Sequence, residues 1–221
     1  VTIDAANFGG TIDAKSIFAS GSVAVTLGNS GDFSSGGIYS DSSFVLDAQN
    51  AVAFDDYGNG GSIFMTEVRA SGVAIAAGDI GYLTFGDYQN WMNPGGGISS
   101  SGAITIDASQ VNFFDVSNLQ ADDAITLSIG ERGDFSGGSV STGGAFTLDA
   151  AQATSGQVNI SSVSAASNIN IIMGQGTGGI ILGNYLRSDG VISEGYVNID
   201  TSTFGGFVDV HHIEAQGNVT V

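Results

Sequence analysis

Cysteine is absent from the 221 residues, which removes disulfides and thiolate metal sites from consideration. Basic residues are almost as scarce: 4 Lys and Arg stand against 22 Asp and Glu, a formal net charge of −18. A polyanion of this kind repels phosphate backbones and anionic lipid, so nucleic acid is not expected as a partner, and divalent cations are the natural counterions. No apolar run approaches the length needed to cross a bilayer, so membrane insertion is not expected either. The opening Val1-Thr2-Ile3-Asp4 is neither an initiator Met nor a signal peptide, and the chain reads as beginning in mid-pattern. There is one Trp and one Pro, and both fall in the same short stretch.

What is present is 42% hydrophobic residues, mainly Ala, Val and Ile, mixed with 35 Gly and much Ser and Thr. That mixture favours short strands and frequent turns, because β-branched residues suit a pleated surface and Gly removes the steric cost of unusual turns. The content is too apolar for a disordered acidic tail.

A phrase recurs: VTIDA at 1–5, FVLDA at 44–48, ITIDA at 104–108, FTLDA at 146–150 and VNIDT at 197–201. Between these units lie Gly-rich ones, among them GSVAVTLGNSGDFSSGG and DAITLSIGERGDFSGG. The pattern predicts two alternating coil types of about 20 to 30 residues, the period of a solenoid. Within a coil the alternation has period 2, so Ile104 and Ile106 point inward and Thr105 and Asp107 outward. The expected fold is all-β, a parallel β-solenoid (β-helix) of about ten coils, forming over 1–221 a single rod roughly 45 to 50 Å long at about 4.8 Å per coil. An antiparallel sandwich is the competing fold; it calls for tight Asn-Gly or Asp-Gly hairpins, and few are suitably placed.

The twice-spelled Gly-Asp-Phe-Ser sets Asp32 and Asp134 among glycines, and FGDYQN sets Asp87 similarly. Such corners offer carboxylates and turn carbonyls, the oxygen ligands that calcium takes; the structural alternative is a turn in which the Asp bonds its own backbone. The five Asp of the TIDA-like phrase read as turn caps, since an outward ladder of like charges would repel. The stretch 85–97, FGDYQNWMNPGGG, holds Tyr88, Trp91 and Met92, and GNYLRSDGVISEG at 183–195 holds Tyr185; rings on such loops are candidate ligand or partner contacts. His211-His212 lies in FVDVHHIEAQ, read as a strand with the two rings on opposite faces, a poor metal pair. Asp55-Asp56 and Asp122-Asp123 suggest glycan cleavage only if two carboxylates converge on one bond, and sequence neighbours usually diverge.

The coils GAFTLDAAQATSGQVNISSVSAASNINIIMGQGTGG and GAITIDASQVNFFDVSNLQADDAITLSIGERGDFSGG resemble the repeat regions of large secreted bacterial surface proteins. These are the RTX-type adhesins and surface-layer proteins that combine β-solenoids with calcium-binding Gly-rich repeats. The resemblance implies an extracellular, cell-surface location, assembly into a fibre, sheath or layer, and calcium. It is one of texture and coil pattern, and the calcium nonapeptide is not reproduced. A strand at each end of the sequence adds the expectation of a longer parent chain or of end-to-end stacking. Two further readings stay open beside the structural one: a glycan- or surface-binding module using the 85–97 loop, and a polysaccharide-degrading enzyme.

Overall fold

The computed structural model describes residues 1–28, 32–51, 61–86, 96–131, 134–175, 178–183 and 190–221. Among them every regular element is a strand, and the chain runs in repeated circuits. The first four circuits are Thr2–Ala5, Thr11–Ala14 and Ile17–Ala19 (β1 to β3); Val23–Leu27, Asp32–Ser35 and Ile38–Ser40 (β4 to β6); Ser43–Ala48, Ser62–Met65 and Glu67–Ala70 (β7 to β9); and Gly72–Ala77, Tyr82–Phe85 and Gly97–Ser100 (β10 to β12). In the next three, two strands merge into one of nine residues: Ile104–Ala108 and Phe113–Ala121 (β13, β14), Ile125–Ile129 and Asp134–Thr142 (β15, β16), and Phe146–Ala150 and Gln157–Ala165 (β17, β18). The three-strand form then returns with Ile169–Met173, Gly179–Leu182 and Val191–Ser193 (β19 to β21) and Val197–Asp200, Phe207–Val210 and Ile213–Ala215 (β22 to β24), before Val219–Thr220 (β25).

The opening strands of the circuits stack into one sheet of ten, β1-β4-β7-β10-β13-β15-β17-β19-β22-β25. The remaining fifteen form a second sheet bent into two faces. Residues 113–116 of β14 continue the ladder of β11, while 119–121 continue that of β12. The cross-section is therefore three-sided. All pairings are parallel, which excludes the antiparallel sandwich and identifies the fold as a parallel β-solenoid.

Like residues lie on like residues. Val25, Leu46, Ile75, Ile106, Leu127, Leu148, Ile171 and Ile199 form one register column on the inner side of the first face, none more than 2% exposed. Burying each such side chain is worth about 1.5–3 kcal/mol, so the column is a main source of stability. Behind the second face Phe114 packs edge-on to Phe85, centroids 6.4 Å apart, and lies 4.9 Å from Phe135. Ile104 and Ile106 are buried and Thr105 is exposed, as the alternation predicts.

Two corners explain why the repeat spans two coils. Where the first face ends, Asp4, Asp47, Asp107, Asp149 and Asp200 each accept a hydrogen bond from the backbone N–H two residues on, at 3.0 to 3.3 Å. Each of these Asx turns is closed by a further backbone bond, such as Val111 N–H to the Ala108 carbonyl at 3.1 Å. The turn pushes its carbonyls toward the next coil, and there the chain carries Gly28, Gly78, Gly130 or Gly174. A Cβ at any of these four would overlap a turn carbonyl, that of Ala6, Gln49, Ser109 or Ala151 respectively. An Asx turn thus obliges a glycine on the following coil.

At the return to the first face the roles reverse. Ser40, Ser100, Thr142 and Ser193 each accept from the N–H two residues on, at 3.0 to 3.2 Å. Ser193 also donates to the Ser167 carbonyl of the preceding coil at 2.6 Å, and Thr142 donates to that of Asp123. In register beside them stand Ala19, Ala70, Ala121, Ala165 and Ala215. Hydroxyl and methyl alternate up this edge.

Candidate functional site

The outer side of the second face carries a run of exposed rings beside carboxylates. By register, one outward column reads Thr11, Asp32, Ser62, Tyr82, Phe113, Asp134, Gln157, Gly179 and Phe207. Period-2 strands put hydrogen-bonding side chains on an outer face, so rings here are exceptions to the pattern. Tyr82 and Phe113 are 46% and 44% exposed and stack with centroids 5.1 Å apart and planes 14° from parallel. Phe64, 36% exposed, stands in the neighbouring outward column beside Thr84.

These rings border a groove of about 1030 Å³ that continues over Asp115, Asp134, Ser136, Gln157 and Asn159 to Gly156 and Gly178. Phe207, 50% exposed, lies over Gly179 beyond the far end: a Cβ on Gly179 would strike the Phe207 ring. Asp115 is half-buried, and that burial pushes its carboxyl above the ordinary range, while hydrogen bonds involving Ser136 and the Val116 backbone work in the opposite direction.

The carboxylates singled out in the sequence lie on this face but have architectural partners. Asp32 accepts from the Ser62 N–H at 2.7 Å, and Asp134 from the Gln157 N–H at 2.8 Å. The expectation that each would bond its own backbone is corrected: the carboxylate reaches the next coil and accepts from the first N–H of the neighbouring strand. With β8, β11, β14 and β16 following β5 in the ladder, Asp32 and Asp134 are four strand spacings apart, about 19 Å. They cannot share an ion. Calcium takes six to eight oxygens, and among the described residues no three His, Cys, Asp or Glu gather to hold a metal. Asp87, Tyr88, Trp91, Met92 and Tyr185 lie outside the described residues, as do Asp55 and Asp56.

His211 and His212 are not in a strand. They form the corner between β23 and β24, with His211 Nε2 3.9 Å from Asp209 and His212 Nε2 3.9 Å from Glu214. Asp122 and Asp123 are exposed turn residues whose N–H groups bond the Ser100 and Gly102 carbonyls.

A second aromatic stack, on the third face, makes a useful contrast. Phe18 and Tyr39 stack at 4.8 Å, and the Tyr39 hydroxyl donates to Glu67 at 2.7 Å, which also receives Arg69 Nε at 2.7 Å. Partial burial pushes the Glu67 carboxyl up, but the bonds from Tyr39 and Arg69 outweigh it and hold the group below its ordinary value. The polar groups of that cluster satisfy one another, while Phe18 remains 73% exposed.

The rings of the second face were not singled out from the sequence because Phe64, Tyr82 and Phe113 belong to three separate coils. A signal did exist: in SIFM, YLTF and FFDV an aromatic takes an outward place in the alternation. No protein-family model matches the chain, and neither curated proteins nor solved structures give a match.

Proposed function

We propose that this chain is a structural and adhesive segment of an extracellular surface protein, part of a fibre, sheath or layer, that acts by holding a ligand rather than by turnover. The observation that supports it most is the Tyr82–Phe113 stack, exposed on the middle of a sheet face and continuous with a polar groove. Exposed rings on a rigid β support give contact area at little entropic cost, because the backbone beneath them is already ordered. The binding surface is then the second face, centred on the strands that carry Tyr82 and Phe113.

The test is retention of protein-coated particles on polysaccharide-coated, protein-coated and bare silica surfaces. Wild-type particles are expected to be held by at least one coating and the Tyr82→Ala/Phe113→Ala protein to be released from it. If no coating distinguishes the two proteins, the adhesive reading is wrong.

A further inference from the structure

We infer that the groove of the second face takes a glycan bearing free amino groups, its sugar ring against Phe113 and its ammonium groups on Asp115 and Asp134. This rests on the adhesive reading above and names its ligand. Three features of the groove carry it.

The first is the ring geometry. Because Tyr82 and Phe113 are stacked along the ladder, each covers one face of the other. The strand order leaves the second face of Phe113 turned toward Asp134, the next residue in its column. A flat, partly apolar ring such as a pyranose has a surface to lie against there, in a groove that is also lined by Gly156 and Gly178.

The second is charge. The lining includes two carboxylates, and among the described residues it includes no Lys, Arg or His, in a chain of net charge −18. An anionic glycan is repelled from such a place, and a cationic one is drawn to it. An ammonium group beside such a carboxylate gains because its N–H bonds to the carboxylate are charge-assisted.

The third is spacing. Asp115 follows Phe113 by two residues on the same side of one strand, about 6.6 Å away, and Asp134 lies beside Phe113 on the next strand, about 4.8 Å away. The two carboxylates thus flank the ring on adjoining sides. Asp134 already spends Oδ1 on the Gln157 N–H, leaving Oδ2 for a ligand. Asn159 supplies an uncharged hydrogen-bonding group for sugar hydroxyls along the same groove, while Ser136 bonds Asp115.

The experiment is calorimetric titration of the full chain with three probes of equal length: a β-1,4-linked glucosamine oligomer at a pH where its amines are protonated, the N-acetylated oligomer, and the β-1,4-glucose oligomer. The glucosamine oligomer is expected to bind at least tenfold more tightly than either neutral probe and to weaken as salt is raised. Phe113→Ala should cost it at least tenfold, Phe113→Tyr should restore most of that, and Asp115→Asn should remove the preference for the amine. Circular dichroism of each variant separates lost binding from lost fold. Equal or tighter binding of the neutral probes, or an Asp115→Asn protein that keeps the preference, overturns the inference. If particle retention still depends on Tyr82 and Phe113 in that case, the adhesive reading stands without it; if it does not, both fall.

Discussion

The first corner and the second face both carry carboxylates, and they use them differently. At the corner, Asp4, Asp47, Asp107, Asp149 and Asp200 repeat with the coil, and each bonds the backbone two residues away. On the second face Asp115 occurs once, half-buried, in a groove with rings that the architecture does not call for. Repetition in a solenoid marks what every second coil needs in order to stack; function is sought where the repeat is broken. The phrase Gly-Asp-Phe-Ser belongs mainly to the former class, since both copies cap the strand start of the next coil.

The largest effect expected on the architectural side is at Gly130. A Cβ there overlaps the Ser109 carbonyl, so Gly130→Ala should lower stability by about 3 kcal/mol in urea unfolding, the upper range for forcing atoms into a packed site. At the opposite edge Thr142→Val keeps the shape but leaves the Gly144 N–H without its acceptor, a loss of about 1–3 kcal/mol. Asp107→Ala removes one Asx bond to the Ser109 N–H and should cost about 1 kcal/mol, with ligand retention unchanged. An Asp107→Ala protein of full stability would remove the turn-cap account of the TIDA-like phrase.

These corners also show what the sequence alone could and could not reveal. The period-2 alternation and the five TIDA-like phrases are local, and a parallel solenoid with Asp caps follows from them directly. The second hydroxyl series did not stand out, because Ser40, Ser100, Thr142 and Ser193 are common residue types in a Ser-rich chain. Its signal is relative: each is followed two residues later by Ser or Gly and falls in register with an Ala. The groove was hidden for a different reason. Tyr82 and Phe113 are neighbours only through the stacking register, and insertions of unequal length keep that register from being read by counting.

On the functional side Phe113→Ala should cost stability only about 0.5–1 kcal/mol, the scale of one cross-strand pair on an open face. The smallest effect is a pH dependence. Burial raises the Asp115 carboxyl, so its ionisation opposes folding: the protein should be most stable below the ordinary Asp value of 3.8 as far as this group is concerned. That contribution is lost as pH rises through the higher folded-state value. Asp115→Asn should flatten the corresponding segment of the stability profile, and an unchanged profile would show that Asp115 carries no such penalty.

One paired measurement separates the two kinds of residue most directly: the urea midpoint and the glucosamine-oligomer affinity of Asp107→Ala beside those of Phe113→Ala. The expected result is a crossover, with Asp107→Ala losing stability at unchanged affinity and Phe113→Ala losing at least tenfold in affinity with a smaller loss of stability. If Asp107→Ala weakens binding as much as Phe113→Ala does, or Phe113→Ala binds like the wild type, the division between architectural corners and a functional face is contradicted.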